Sequence, residues 1–326
     1  MKILYFTDSH IRGTTPKNRT DDFTNTLELK FKEILDIIKE EKIDYVLHGG
    51  DLFDRPDVSI SLVSKFSKIL KQIPVPMYII SGNHDIFGHN PKTLRRSMLG
   101  LISDLDVLNI ISENKKILLE KNGIKIQLTG SPYTYNIDRY EDNSPYIIKD
   151  VDKSCDYSIH LVHGMLLDKP FIKGVPHTLV DDIKATKADV TLAGHYHSGF
   201  KKIKIDGKIF LNPGSIVRVS NSLKEIKRKP KVVIMNFKES IDISYKYLNT
   251  ALDGEKVLDR KEIEDSIYRR EKMYDFKQSI DSAMSFEKMD INDVLLEVSN
   301  SEGVEDKVKK EALKRISQIQ MNNIGE

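Results

Sequence analysis

Aspartate, asparagine and histidine, residue types that bind metal ions, follow five apolar stretches of this sequence. Each stretch has the length and composition of a buried strand, and the polar residues come directly after it. The residues are Asp8, His10, Asp51, Asn83, His163, His195 and His197. Because hard divalent cations favour carboxylate oxygens and imidazole suits borderline transition metals, a mixed set of this kind predicts a metal site.

The number of candidate ligands favours two metal ions over one. A single site cannot use seven groups, whereas two sites that share a bridging carboxylate can. Two metal ions about 3.5–4 Å apart clamp the attacking and leaving oxygens of a phosphoryl displacement and generate hydroxide near neutral pH. His84 follows Asn83 directly, so its imidazole could protonate the leaving oxygen. These residues predict two-metal hydrolysis of a phosphate ester.

Each motif taken alone has an ordinary structural interpretation. Asp8-Ser9-His10 alone would be a capping or loop pair, and Asn83-His84-Asp85 alone would be a turn. We interpret them together because each follows an apolar strand, and the carboxyl ends of strands in an open α/β sheet share the edge where ligands bind. Gly49-Gly50, just before Asp51, allows the tight turn that such an edge requires.

Strands and helices alternate over the first 110 residues. Apolar residues recur at helical spacing over 27–38 and 58–70, which predicts a largely parallel sheet with helices outside it. Later, Asn122-Gly123 and Asp206-Gly207 each separate two strand-like runs and predict hairpins, and residues 232–247 predict a third. We therefore predict an α/β fold in which a second sheet packs on the first and helices cover both outer faces.

The sequence changes character near residue 250. Residues 251–326 contain no proline, are rich in charge and show only helical periodicity. We predict one domain over residues 1–250 and a helical C-terminal region over 251–326, with helices at about 263–284, 290–298 and 304–319. The broad apolar stripes of these helices either pack back on the first domain or bind a partner.

Composition restricts the class of protein. The chain has 326 residues, a formal charge of +2 and one cysteine, Cys155. A near-neutral charge means that any nucleic-acid binding depends on local patches, and a single cysteine excludes an internal disulfide and a cysteine-rich zinc site. No run is long enough for a signal peptide or a membrane span. We therefore expect a cytoplasmic protein with no membrane association.

The motifs together resemble those of calcineurin-like metallophosphoesterases. They are Asp8-x-His10, Gly50-Asp51-x-x-Asp54, Gly82-Asn83-His84-Asp85, His163-Gly164 and Gly194-His195-x-His197. The resemblance implies a four-layer α/β/β/α sandwich over about residues 1–248. It also implies two divalent metal ions, which we expect to be Mn²⁺.

Within that superfamily the chain is similar to the SbcD-type nuclease subunits of DNA break processing. The narrower resemblance rests on residues 50–56, 80–85 and the Asn-Pro-Gly-Ser of 212–215. It implies an exonuclease or endonuclease acting on DNA, working as a homodimer with a separate SbcC-like coiled-coil ATPase. Consistent with a separate ATPase chain, the sequence has no Gly-x-x-x-x-Gly-Lys-Ser/Thr motif.

The resemblance also implies a role for each site residue. One metal ion would take Asp8, His10 and His197, and the other Asn83, His163 and His195. Asp51 would bridge the two ions, and His84 would be the transition-state partner or general acid. Asp54 would orient His84; the alternative is a turn or N-cap carboxylate ahead of the following helix.

A cluster of basic residues lies shortly after the last ligand motif. We expect Arg218, Lys227, Arg228 and Lys229 to contact DNA phosphates, and the alternative is a solvated surface loop. Two further functions compete with the nuclease: a phosphatase or cyclic-nucleotide phosphodiesterase that acts on a small phosphoester, and a non-catalytic scaffold. The complete set of predicted ligands argues against the scaffold.

Overall fold

The structure, a computed structural model, describes most of the chain. The described residues are 1–259 apart from 114, 140, 142 and 221, and then 264, 265, 268, 269, 272, 273, 307, 308, 311 and 315. The chain divides into two compact units, residues 1–259 and 260–326. In the second unit the described residues are helical, and the rest of the predicted helices at 263–284, 290–298 and 304–319 lie outside the described residues.

The described residues of the first unit form fourteen strands and five α-helices. The strands are β1 (Lys2–Phe6), β2 (Tyr45–His48), β3 (Met77–Ile79), β4 (Asn109–Ile110), β5 (Ile117–Lys121), β6 (Ile124–Ser131), β7 (Tyr157–Val162), β8 (Leu166–Leu167), β9 (Thr178–Leu179), β10 (Val190–Ala193), β11 (Phe200–Ile205), β12 (Lys208–Asn212), β13 (Lys231–Phe237) and β14 (Ile241–Tyr247). The helices are α1 (Phe23–Glu40), α2 (Ile60–Leu70), α3 (Met98–Asp104), α4 (Leu223–Lys227) and α5 (Gly254–Val257). Among the described residues, no helix has both the length and the apolar character to cross a membrane.

The first sheet has six strands in the order β14-β13-β1-β2-β3-β4. Strands β1 to β4 are parallel, as the strand–helix alternation predicted, and β13 pairs with β1 antiparallel. Side chains alternate along β1, so that Leu4 and Phe6 face the helices while Ile3 and Tyr5 face the second sheet. Both faces of this central strand are therefore buried.

The second sheet also has six strands, in the order β11-β12-β10-β7-β6-β5. The predicted hairpins are confirmed: β5 pairs with β6, β11 with β12 and β13 with β14, all antiparallel. The first turn has φ values of 52° at Asn122 and 79° at Gly123, and the second has 49° at Asp206 and 83° at Gly207. Positive φ at both central positions is the geometry that Asn-Gly and Asp-Gly favour in tight hairpins.

Apolar side chains of the two sheets pack face to face, with helices over the first sheet. Helix α1 begins after Asp22, whose side chain accepts a 3.0 Å hydrogen bond from the Asn25 N–H, and Leu27, Phe31 and Ile34 are buried on its inner face. Outside the second sheet, the described residues form 3₁₀ turns, including Ser144–Tyr146 and Val180–Ile183. The predicted four-layer α/β/β/α arrangement is confirmed, with these turns in place of longer helices.

Residues 251–258 pack within the first unit, although the predicted boundary at 250 assigned them to the C-terminal region. Ala251 joins the core beneath the helices, and Val257 and Leu258 are also buried. The carbonyl of Leu252 accepts a 2.7 Å hydrogen bond from Arg218. The described core of the first unit therefore extends through these residues.

Candidate metal centre

The predicted ligands lie on loops that follow β1, β2, β3, β7 and β10. Hydrogen bonds join the first two loops: the Asp8 N–H donates to the Gly50 carbonyl at 3.1 Å, and the His10 N–H to the Asp51 carbonyl at 3.0 Å. The loops after β2 and β10 approach so closely that a Cβ at Gly194 would lie 2.5 Å from the Gly49 carbonyl oxygen. Glycine is needed there because a side chain would force the loops apart.

A first group of side chains gathers around the ends of β1, β2 and β10. One ligand atom each from Asp8, His10, Asp51 and His197 lies within 4.8 Å of the others. The two Nε2 atoms of His10 and His197 are 2.9 Å apart. His197 Nε2 is 3.8 Å from an Asp8 oxygen, and His10 Nε2 is 3.7 Å from Asp51 Oδ2. Carboxylate and imidazole atoms at these separations fit a shared divalent ion.

A second group meets the first at Asp51. Atoms of Asp51, His163 and His195 also lie within 4.8 Å of one another, and His163 Nε2 is 3.3 Å from Asp51 Oδ2. Asn83 reaches the same place, since its Oδ1 is 3.2 Å from His163 Nε2. The structure thus brings together each of the ligand sets expected from the sequence, with Asp51 common to both.

The Asp51 carboxylate shows why a cation fits here. Its Oδ1 accepts a 2.8 Å hydrogen bond from the His84 N–H, whereas the buried Oδ2 has no hydrogen-bond partner among the described residues. Oδ2 lies 3.7 Å from His10 Nε2 and 3.3 Å from His163 Nε2. A buried carboxylate oxygen that lacks a donor but faces imidazoles from two groups is suited to bind a cation.

Hydrogen bonds at the far side of the rings set the histidine tautomers. His163 Nδ1–H donates to the Gly49 carbonyl at 2.7 Å. When the ring is neutral, its lone pair is therefore on Nε2, on the side of Asp51 and Asn83. Such a bond from the second ring nitrogen is the usual way in which proteins orient a metal-binding histidine.

Electrostatic attraction between carboxylates and imidazoles shifts the pKa values of the site. Burial disfavours the charged His163 ring, but Asp51 outweighs that effect and raises the pKa of His163 to about 9. Burial likewise opposes ionisation of Asp51, yet His163 brings the pKa of Asp51 well below its ordinary value. Burial lowers the pKa of His195 to about 4, so that ring is neutral at pH 7.

Asp54 contacts His84 through its backbone and faces His10 with its side chain. His84 is held by the Asp54 backbone carbonyl, which accepts a 2.7 Å hydrogen bond from His84 Nδ1–H. The Asp54 side chain instead faces His10, with Oδ1 3.6 Å from His10 Nδ1, and pairs with Arg12 at 3.2 Å. One carboxylate oxygen of Asp54 and ring nitrogens of His10 and His84 lie within 4.8 Å of one another, so the carboxylate borders a candidate metal ligand, and its orienting role toward His84 stays a prediction.

The expected DNA contacts at Arg218 and Arg228 require a correction. Arg218 is only 3% exposed and donates to the carbonyls of Arg228 and Leu252. The Arg228 side chain is 10% exposed, pairs with Glu225 and donates to the Ser215 and Val217 carbonyls. These guanidinium groups satisfy buried backbone oxygens, so we withdraw both residues as phosphate contacts.

Lys227 and Lys229, from the same basic stretch, are exposed on either side of Arg228. They stay predicted phosphate contacts.

Sequence reasoning missed the aromatic residues that border the site. The ring of Tyr133 lies 5.8 Å from that of His195 and 6.3 Å from that of His163. The signal was present, because Tyr133 follows the end of β6 as the ligands follow their strands. His48 is buried nearby, and its Nε2 lies 2.8 Å from the hydroxyl of Ser9, the residue between Asp8 and His10.

Comparison with known proteins supports the geometric interpretation. The calcineurin-like phosphoesterase family matches residues 1–199. The chain is 22% identical over 269 residues to the DNA double-strand break repair protein Mre11 of Methanosarcina mazei, covering 78% of this chain and 41% of that protein. It is 25% identical over 228 residues to the Mre11 protein of Sulfurisphaera tokodaii, covering 68% of this chain and 53% of that protein. The chain thus spans about half the length of these curated relatives, or less.

The substitution Asp51→Asn tests the shared carboxylate. The asparagine oxygen can still accept the hydrogen bond from the His84 N–H, but the negative charge common to both groups is lost. We expect the purified variant to lose both metal ions, measured by elemental analysis, and to lose phosphodiester hydrolysis. Unchanged thermal unfolding of the metal-free protein serves as the folding control. Full occupancy of both sites would contradict the bridging role.

The substitutions Asp54→Asn and His84→Ala should separate two functions. Asp54→Asn keeps the backbone carbonyl that holds His84 but removes the charge near His10, so metal affinity should fall about 10–100-fold with little change in turnover at saturating metal. His84→Ala should keep the metals and lower turnover about 10²–10⁴-fold. Metal titrations of binding and of ester hydrolysis measure both effects. A lower turnover with unchanged metal affinity in Asp54→Asn would restore the role first predicted for that side chain.

Proposed function

The chain belongs to the calcineurin-like phosphoesterase family, and from that premise we propose that it is a two-metal phosphodiesterase that cleaves DNA. The observation that carries the two-metal proposal is the buried Asp51 carboxylate, whose unpartnered oxygen lies between two groups of ligand atoms. One carboxylate common to two groups supports a pair of neighbouring ions.

In the proposed site, Asp8, His10 and His197 hold one ion and Asn83, His163 and His195 hold the other, with Asp51 between them. The ions, when bound, supply hydroxide near neutral pH and stabilise charge on the phosphoryl oxygens. The mixed oxygen and nitrogen donors of these residues are compatible with Mn²⁺, which we propose as the metal.

His84 is the proposed general acid. Its Nδ1–H is fixed by the Asp54 carbonyl, and its ring lies 4.7 Å from the His10 ring. That arrangement leaves Nε2 as the atom that donates a proton to the departing oxygen. The hydrogen bond at Nδ1 orients the ring.

DNA is the proposed substrate on two grounds. The first is the resemblance of residues 50–56, 80–85 and 212–215 to those of SbcD-type nucleases, and the second is the similarity to relatives named for DNA double-strand break repair. Exposed Lys227 and Lys229 add positive charge that a phosphate backbone would attract. A phosphatase or cyclic-nucleotide phosphodiesterase is the alternative that the assay below distinguishes.

An ATPase partner and a dimer complete the proposal. SbcD-type subunits work with a coiled-coil ATPase, and we propose that residues 260–326 bind such a partner and that the complex contains two copies of this chain. The support is the family resemblance together with the apolar helical periodicity of this region, which suits packing against a coiled coil.

The proposed function is tested by a parallel assay with Mn²⁺. Single-stranded DNA, duplex DNA with free ends, a chromogenic phosphodiester, a phosphomonoester and a cyclic nucleotide are each incubated with the full chain. We expect cleavage of DNA and of the diester that a chelator abolishes. Hydrolysis of the monoester or the cyclic nucleotide with both DNAs intact would establish the alternative.

A variant with Lys227→Ser and Lys229→Ser extends this assay to DNA binding. It should reduce the steepness of log affinity for DNA against log salt concentration by about 0.7–0.9 for each lost phosphate contact. Hydrolysis of the small chromogenic phosphodiester should be unchanged. An unchanged slope would mean that the two lysines are only solvated.

The partner proposal is tested by ending the chain after Asp259. This position keeps the buried residues Val257 and Leu258, which an end at Thr250 would remove. We expect the shortened chain to retain diester hydrolysis but to lose capture by a coiled-coil ATPase in a pull-down. Retained capture would contradict the assignment of the partner site to residues 260–326.

A further inference from the structure

Tyr133 extends the ring cluster of the metal centre toward solvent. Its ring centre is 5.8 Å from that of His195, with a 39° tilt, and 5.6 Å from that of His89, with a 50° tilt. His195 belongs to the candidate ligand set, whereas His89 is exposed. The three rings therefore form a continuous row, the ring row, from the candidate metal ligands to the protein surface.

The backbone fixes Tyr133 at this position. Strand β6 ends at Ser131, and the Tyr133 N–H donates a 2.9 Å hydrogen bond to the carbonyl of Ser81. Ser81 directly precedes the Gly82-Asn83-His84 loop, which carries a candidate ligand and the candidate acid. The hydrogen bond thus joins the Tyr133 backbone to the loop that carries both of these residues.

Tyr133 differs from a tyrosine that serves the core. Tyr146, in the same long connection between β6 and β7, is completely buried and packs in the cluster outside the second sheet. Its hydroxyl donates to the Asp138 carboxylate. Tyr133 is only half-buried, and its neighbour His89 is exposed. An aromatic pair left partly open beside a reactive centre is available to a ligand with a flat face.

We propose that Tyr133 and His89 form a stacking surface for the nucleobase beside the scissile phosphate. The inference rests on the proposed DNA phosphodiesterase function and specifies the substrate form: a nucleotide whose base has left the duplex stack. Stacking on aromatic rings is tolerant of sequence because every base has a π-face. The site would then favour single-stranded or frayed DNA without selecting a base.

The proposal is tested by removing the base and the ring separately. Single-stranded oligonucleotides with either a normal or an abasic nucleotide at the cleavage position are compared with the full chain and Mn²⁺. Stacking contributes about 1–3 kcal/mol per base, so the wild type should prefer the normal oligonucleotide by about 5–150-fold in kcat/KM. The ratio of the two rates cancels any change that a substitution causes in the metal centre itself.

In Tyr133→Leu the ratio of kcat/KM for the normal oligonucleotide to that for the abasic one should fall to nearly one. In His89→Ala the ratio should fall only partly. Tyr135→Leu is the matched control, since Tyr135 is 59% exposed and packs under the Arg139 guanidinium at 4.4 Å; it should keep the wild-type ratio. An unchanged ratio in Tyr133→Leu, or no preference in the wild type, would overturn the stacking surface while DNA cleavage still stands. Failure of the wild type to cut either oligonucleotide would overturn the nuclease function and this inference with it.

Discussion

A buried negative charge with one unsatisfied oxygen is the constraint on which the site depends. Removing a carboxylate from water costs several kcal/mol even after the surroundings relax, and Asp51 is 1% exposed. Without a metal ion, the charge of a protonated His163 ring, whose Nε2 lies 3.3 Å from Asp51 Oδ2, offsets part of that cost. Because a metal ion would need the same Nε2 lone pair, proton and metal compete for one atom, and metal binding would release a proton.

The fold must also hold strained backbone at this place. Positive φ values occur at Asp8 (54°), His10 (44°), Asp51 (52°) and His195 (70°), none of them a glycine. Such conformations cost about 1–3 kcal/mol each and persist only where the surroundings determine them. The surroundings here are two packed sheets with cores on both faces, and hydrogen bonds that join the loops after β1 and β2.

The sequence predicted those features that are local. Each candidate ligand follows a strand, hairpins have Asn-Gly or Asp-Gly turns, and helices show their apolar period, so the two-sheet fold and the composition of the ligand set could be read from residue order. The contacts of Asp54 could not be predicted, because the motif does not distinguish its carboxylate from its backbone carbonyl as the partner of His84. Tyr133 follows β6 at the same edge and so had a signal in the sequence, but a phenol is not a typical metal ligand and does not belong to the pattern of aspartate, asparagine and histidine.

The prediction that Arg218 and Arg228 contact DNA was wrong because charge alone does not indicate whether a side chain is buried. Three successive carbonyls, of Ile216, Val217 and Arg218, each accept a hydrogen bond from a cationic side chain. The donors are Lys30, Arg228 and Arg19 respectively. These oxygens lie in a segment outside the sheets, where an unpaired buried carbonyl would be costly. A long cationic side chain can reach them from another part of the fold. Glu225 and Asp21 balance part of the charge of Arg228 and Arg19.

This segment also supports the metal centre. The Ser215 hydroxyl donates to the Asp8 carbonyl at 2.6 Å, and the Ser215 N–H donates to the His197 carbonyl at 3.0 Å. The Asn-Pro-Gly-Ser sequence that ends at Ser215 therefore joins two ligand loops of the first group. Arginine suits such a position better than lysine, because its planar guanidinium serves several acceptors in fixed directions. Arg228 donates to the Ser215 carbonyl, the Val217 carbonyl and the Glu225 carboxylate at once. Arg228, one of the cations first expected to contact DNA, thus stabilises the segment that joins two of the loops bearing candidate ligands.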